Sequence, residues 1–198
     1  MIAIKSLGLL VFSLIAFSFL SSSGSASILR MLSNKELINS SDSIVVGDVV
    51  DEYSAWDPSG RFIVTYTKIQ VVDDVMGTEG GSREIIIRHL GGRVGNREME
   101  VHGGAKFMIG EKTLLFLKKQ SSGFKDVLGL SQGKFKILKD SLTGSEFAVN
   151  PKDPEIKFLD SNFKTVEDPD GQSRKPVSLT DFIQEIKKEL KEGNNINQ

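Results

Sequence analysis

Two long runs rich in β-branched residues, joined by a tight-turn sequence, constrain the fold of this chain more than any other feature. The first run, IVVGDVV, follows Ser43, and the second extends from Phe62 to Val72. Between them, Asp57-Pro58-Ser59-Gly60 has the residue types of a type I turn, which predicts an antiparallel hairpin. Strands as long as the second run are typical of small closed barrels, in which long strands must curve. The hairpin therefore predicts a β-barrel.

Shorter sequences downstream indicate more strands. Apolar or alternating patterns mark Glu84–His89, Glu98–His102, Thr113–Leu117, Asp126–Leu130 and Lys134–Leu138. Glycines are frequent from Gly91 to Gly104, as is typical of bulges and corners in a sheet. The sequence is thus mainly β over its central part.

Two helices are expected outside these strands. Ser33 and Glu36 have the spacing of a capping box, which predicts a short helix that ends near Ser41. Near the other end, residues 178–191 predict a helix with one apolar stripe, formed by Leu179, Phe182, Ile183, Ile186 and Leu190. We expect this stripe to pack on the barrel, with binding of a partner helix as the alternative.

The first 26 residues have the pattern of a secretory signal peptide. Lys5 precedes the apolar run Leu7–Leu20, and Gly24-Ser25-Ala26 supplies the small residues that a signal peptidase requires. A membrane-spanning helix needs about 20 apolar residues, more than this run contains. We therefore expect cleavage after Ala26, no membrane span after cleavage, and a soluble protein in the periplasm or outside the cell.

Composition excludes several functional classes. The chain has no cysteine, so neither disulfides nor cysteine ligands are available in an oxidising compartment. Its 25 basic and 26 acidic side chains give a net charge of -1, which lacks the basic field that binding to a phosphate backbone requires. We expect no nucleic-acid partner.

No pattern of residues specifies an enzyme. Ser131 lies in GLSQG, which matches the nucleophile elbow of hydrolases, but a strand sequence follows and neither histidine lies downstream. His89 and His102 are the only histidines and are weak candidates for a metal site with nearby carboxylates. We expect no catalytic residue, no metal and no cofactor. The alternative is a metal-dependent hydrolase of the cell envelope that uses both histidines.

Two sets of residues are candidates for binding. Arg93, Arg97 and Met99 lie in the glycine-rich segment and are of types common at protein interfaces, which suggests a protein partner outside the cytoplasm. Tyr53, Trp56 and Tyr66 are candidates for stacking on an oligosaccharide, with packing around the first hairpin as the alternative.

The order of segments between Ser33 and Leu138 resembles that of a netrin-like domain. The resemblance is carried by SDSIVVGDVV, RFIVTYTKIQVVDDVMG, REIIIRHLGG, KFMIGEKTLLFL and GLSQGKFKI. Netrin-like domains occur in tissue inhibitors of metalloproteinases, in complement proteins and in netrins. The chain also resembles cysteine-free exported bacterial proteins of unassigned function. The resemblance implies an OB-like five-stranded β-barrel flanked by an N-terminal and a C-terminal α-helix, whose face or loops bind a protein.

One departure from this family limits what the resemblance implies. The metalloproteinase inhibitors chelate the protease zinc through an N-terminal cysteine, whereas Ser27 is the expected first residue here. That mechanism does not transfer, and no residue inherits a role. We expect a signal peptide at 1–26, a netrin-like barrel at 27–138, and an extension at 139–198 that ends in the packed helix. The expected function is that of an exported, non-enzymatic binding module.

Overall fold

A computed structural model describes residues 27–77, 81–150, 156–159, 165–166 and 175–196; the expected signal peptide lies outside these ranges. A 3-10 turn covers Leu130–Gly133. The helices are α1 (Asn34–Ser40) and α2 (Leu179–Ile196). The strands are β1 (Ser27–Arg30), β2 (Ser43–Trp56), β3 (Ile63–Met76), β4 (Glu84–Leu90), β5 (Gly92–Val94), β6 (Arg97–Met99), β7 (Lys112–Lys119), β8 (Lys125–Val127), β9 (Lys134–Lys139), β10 (Glu146–Val149), β11 (Ile156–Leu159), β12 (Thr165–Val166) and β13 (Val177–Ser178).

Five strands close into a barrel, as the sequence predicts. Strands β7, β2, β3 and β4 are antiparallel neighbours in that order. Strand β8 closes the ring, because it pairs in parallel with β4 at Ile87 and antiparallel with β7 at Leu117.

The predicted turn joins β2 to β3, and the Asp57 carboxylate accepts hydrogen bonds from the backbone N–H groups of Arg61 and Phe62. These and the Ser59 hydroxyl bond lower the pKa of Asp57 to about 2.

Alternation along β2 and β7 divides the core into two parts. Val45 and Leu115 belong to one cluster, which fills the barrel, whereas Val46 and Phe116 belong to another, on its outer side. Strand β7 is therefore buried on both faces, which explains its continuous apolar sequence.

The outer cluster is covered by both helices and by an extension of the sheet. Strands β9, β10 and β13 continue the sheet beyond β7. Helix α2 contributes Phe182, whose ring centroid lies 5.2 Å from that of Phe135. Leu179 and Ile186 are also buried there, and Ile183 and Leu190 pack at its margin, so the predicted stripe faces this core. The helix begins one residue later and ends five residues later than the sequence predicts.

Helix α1 starts with the predicted capping box. The Ser33 hydroxyl accepts from the Glu36 backbone N–H, and the Glu36 carboxylate accepts from the Ser33 backbone N–H.

A separate sheet has the order β1–β11–β12, in which β1 and β11 are parallel. Neither described helix is long and apolar enough to cross a membrane.

Candidate functional site

A β-bulge in β2 creates a polar end to the barrel. Val45 and Val49 face the apolar interior of the barrel. The register shifts between Val49 and Asp51, because the bulge inserts one extra residue in β2. As a result, Glu52 also faces inward. Beyond the bulge, Glu52 pairs with Thr67 and Ser54 pairs with Thr65. The inner face of these two strands thus changes from aliphatic to polar at the mouth of the barrel.

A cavity of about 420 Å³ opens at this mouth. Its inner wall includes Glu52, Ser54 and Thr65 from β2 and β3 and His89 from β4. The rest of the wall comes from the segment 90–107, which contains five glycines. Apolar surface is provided there by Leu90, Val101, Ala105 and Phe107, and the charged side chains of this segment that line the cavity are Arg93, Glu98, Glu100 and Lys106.

A hydrogen-bonded chain runs from Glu52 through Thr67 to His89. The Thr67 hydroxyl donates to Glu52 Oε2 over 3.1 Å, and its oxygen lies 3.3 Å from His89 Nε2. His89 Nδ1 also lies 3.4 Å from the Leu90 carbonyl oxygen, so the donor across the Thr67–His89 contact depends on the tautomer of the ring. Burial raises the pKa of Glu52 and lowers the pKa of His89, because desolvation penalises the charged form of each group.

A second chain runs from Ser54 through Thr65 to the backbone. The Thr65 hydroxyl donates to the Gly91 carbonyl oxygen over 2.7 Å, and the Ser54 and Thr65 hydroxyl oxygens are 2.8 Å apart. Thr65 has used its proton, so Ser54 donates to Thr65. Gly92 makes this approach possible, since a Cβ there would lie 2.3 Å from both hydroxyl oxygens and its φ is +124°.

A buried ion pair adjoins the cavity. Lys134 Nζ lies 2.5 Å from Glu111 Oε1, and the two side chains are 6% and 4% exposed. The same ammonium group donates to the Lys106 carbonyl oxygen and lies 4.7 Å from the centre of the Phe107 ring. Glu111 also accepts from the Met108 backbone N–H. Both charges are therefore compensated inside the protein, and burial lowers the pKa of Lys134.

The candidate protein-binding residues lie on the rim of the cavity. Strands β5 and β6 form a short hairpin in which Arg93 pairs with Glu98 and Gly92 pairs with Met99. Arg93 and Met99 line the cavity, whereas Arg97 is exposed beside the tip and is not part of the lining. The structure therefore brings two of the three residues to one site.

The candidate stacking residues divide between the two faces of the β2–β3 hairpin. Tyr53 and Tyr66 pair across the strands with ring centroids 5.0 Å apart, and Phe124 lies 5.4 Å from Tyr66. Trp56 is three residues from Tyr53, which places it on the opposite face of the strand. The structure thus forms an aromatic row, Tyr53–Tyr66–Phe124, without Trp56.

The two histidines occupy different settings. His89 belongs to the chain at the cavity wall, whereas His102 is exposed in the turn after β6. Among the described residues, no group of three or more His, Asp or Glu side chains is arranged to hold a metal ion. Ser131 lies in the 3-10 turn before β9.

Sequence reasoning missed the inner wall of the cavity. Glu52, Ser54 and Thr65 are polar residues of two strands, which the sequence alone does not distinguish from a solvent-facing set. The sequence signal for the cavity is the glycine-rich segment. Its glycines indicate that its backbone passes close to another part of the protein.

Comparison of the chain with protein-family models, with curated proteins and with solved structures found no match.

Proposed function

We propose that this chain is an exported, non-enzymatic binding module on an OB-like barrel, and that it holds a protein partner at the barrel mouth. The observation that carries the proposal is the cavity, whose volume falls in the range of about 300–1,000 Å³ typical of ligand pockets. Arg93 and Met99 on its rim are of residue types enriched at protein interfaces.

The strand order supports the OB-like assignment. Strands β2, β3 and β4 form a continuous antiparallel meander, and the ring is completed by β7 on β2 and by β8 parallel to β4. OB-folds bind their ligands on the central strands and in the adjoining loops. The cavity lies between those strands and the segment after β4. Export and the netrin-like resemblance rest on the sequence.

The direction of the hydrogen bonds supports a non-enzymatic role. In a hydrolase site the nucleophilic hydroxyl donates its proton to a histidine base. Here the Thr67 hydroxyl donates to Glu52, and Thr67 is fully buried. The cavity therefore presents a binding wall.

Site-specific photo-cross-linking tests the proposal. A photoreactive amino acid replaces Asn96 at the tip of the β5–β6 hairpin, or Thr143 in the turn between β9 and β10 as a control; both positions are exposed. In the native envelope we expect one dominant protein to be captured from position 96 only, and Arg93→Ala with Arg97→Ala to abolish capture. Equal capture from both positions, or no effect of the arginine changes, would contradict the proposal.

The aromatic row favours oligosaccharide binding as a second candidate function. Tyr53 is 56% exposed and lies at the β2 end of the row. Sugar rings stack on exposed aromatic side chains in many binding sites, so Tyr53→Ala should abolish binding of envelope glycans. Val72→Ala, at an equally exposed position of β3, is the control. Affinity electrophoresis that shows the same retardation for both variants would remove this candidate.

A further inference from the structure

We propose that the cavity at the barrel mouth binds an alkylammonium group, the side-chain end of a lysine of the partner protein. This inference rests on the proposed function and names the chemistry by which the partner is recognised. It follows from three properties of the wall: its charge, the type of its hydrogen-bonding groups, and the number of free carboxylate oxygens.

Glu52 is the uncompensated charge of the inner wall. Among the described residues it forms no ion pair: its carboxylate accepts a hydrogen bond from the Thr67 hydroxyl, and its backbone N–H donates to the Asp51 carboxylate. Glu111 is neutralised by Lys134, and Glu100 on the rim is paired with Lys106 at 2.9 Å. Of the two cations that line the cavity, Lys106 is paired with Glu100 and the Arg93 Nε–H donates to the Gly95 carbonyl oxygen, which leaves the Glu52 carboxylate for a cation that enters.

Two groups of this wall, the Ser54 hydroxyl oxygen and the Glu52 carboxylate, can accept hydrogen bonds from a ligand. Ser54 has given its proton to Thr65, and Thr65 has given its own to the Gly91 carbonyl, so the Ser54 oxygen retains lone pairs for a ligand. Glu52 in its ionised form also only accepts. A ligand that satisfies both groups must supply several donors and needs no acceptor, which describes an ammonium group.

The free oxygen of Glu52 favours ammonium over guanidinium. Thr67 occupies Oε2, which leaves Oε1 as the unengaged oxygen. An arginine side chain recognises carboxylates best through two parallel hydrogen bonds, whereas a lysine acts as a point charge with three rotatable donors. Leu90, Val101 and Phe107 provide the apolar wall against which a four-carbon stem can pack. The protein contains one example of this arrangement, because the Lys134 ammonium group lies between the Glu111 carboxylate and the Phe107 ring.

The test is an NMR titration of the ¹⁵N-labelled protein with Nα-acetyl-lysine N-methylamide. We expect saturable shifts of the backbone amides of Glu52, Ser54 and Gly92. The norleucine and arginine derivatives, which lack the ammonium group or replace it with guanidinium, should bind at least tenfold more weakly. Equal binding of either derivative, or no saturable shift with the lysine derivative, would overturn the inference.

Two variants locate the binding. Glu52→Gln should weaken binding of the lysine derivative at least tenfold, while Glu185→Gln, an exposed change on helix α2 outside the cavity lining, should alter it less than twofold. A retained amide spectrum establishes that each variant is folded, and unchanged affinity in folded Glu52→Gln would refute the assignment. The titration needs no partner, so its failure is separate from failure of the cross-linking experiment. Capture from position 96 that persists in Glu52→Gln would leave the binding module standing and reject the lysine pocket.

Discussion

Replacing one member of the Lys134–Glu111 pair should destabilise the protein far more than replacing both. The pair is almost completely buried, and its partners beyond each other are the Lys106 carbonyl, the Met108 N–H and the Phe107 ring. Lys134→Met leaves a carboxylate in the barrel with one N–H donor, and Glu111→Leu leaves an ammonium group with one carbonyl acceptor. An unpaired buried charge costs about 3–5 kcal/mol. For a chain of this size that corresponds to a fall in Tm of about 6–20 °C.

The double variant removes both charges and keeps similar side-chain volumes. Replacement of buried ion pairs by apolar residues is often neutral or stabilising. We therefore expect the double variant to lie within about 2 kcal/mol of the wild type, with a coupling free energy of at least about 2 kcal/mol between the two positions. Urea unfolding followed by Trp56 fluorescence and by circular dichroism measures all four proteins.

The half-exposed pair between Lys112 and Glu146 is the control for this cycle. Its nitrogen and oxygen lie 2.8 Å apart, but the side chains are 29% and 31% exposed. Lys112→Met should therefore cost about 1 kcal/mol or less. If Lys134→Met cost no more than Lys112→Met, desolvation would not govern the buried pair and the reasoning would be refuted.

Three further predictions concern other parts of the fold. Gly92→Ala places a methyl group 2.3 Å from the Ser54 and Thr65 hydroxyl oxygens and should lower the free energy of unfolding by about 1–3 kcal/mol. Gly95→Ala should lower it less, because a methyl group at position 95 meets no atom within 4 Å. Phe182→Ala removes a fully buried ring from the outer core and should cost about 3–5 kcal/mol in the same urea assay. Glu36 accepts from the Ser33 backbone and from Arg30, which lowers its pKa from 4.5 to about 2. The destabilisation caused by Glu36→Gln should thus be complete above about pH 4.5 and vanish as the pH falls towards 2, whereas a pH-independent difference would contradict a role for the charge.

The barrel was predictable from sequence because its strands carry strong local signals. The β-branched runs and the apolar Thr113–Leu117 run each specify a strand, and the turn that starts at Asp57 specifies the hairpin between the first two strands. The closure of the barrel has no such signal, since β8 is three residues long and meets β4 at a single pair, Ile87 with Lys125. That contact depends on the tertiary arrangement of the other four strands.

The candidate site could be predicted only in part, because a bulge reverses the faces of β2. Strict alternation from Val45 and Val49 places Asp51 and Tyr53 inside the barrel and Glu52 outside. The extra residue between Val49 and Asp51 inverts this order, so Glu52 and Ser54 line the cavity and Tyr53 is exposed. The rim residues Arg93 and Met99 were accessible to sequence reasoning because they lie in a glycine-rich segment, a local feature.

The two inward-facing carboxylates, Glu111 and Glu52, can be separated by their effects on stability. Glu111 has a lysine partner, whereas Glu52 has a hydroxyl, and burial raises the pKa of Glu52 above its ordinary value of 4.5. A carboxyl group whose pKa is raised in the folded state destabilises that state when it ionises, so this cost is absent below pH 4.5 and develops as the pH rises through the folded pKa. Glu52→Gln should therefore leave the free energy of unfolding at pH 7 unchanged or increased, while Glu111→Gln should lower it; urea unfolding at pH 4 and pH 7 compares them. A charged residue that reduces stability and forms no internal ion pair is a candidate for ligand binding, because functional sites often cost stability. A marked loss of stability in Glu52→Gln at pH 7 would instead make Glu52 a structural residue and remove the physical basis of the lysine pocket.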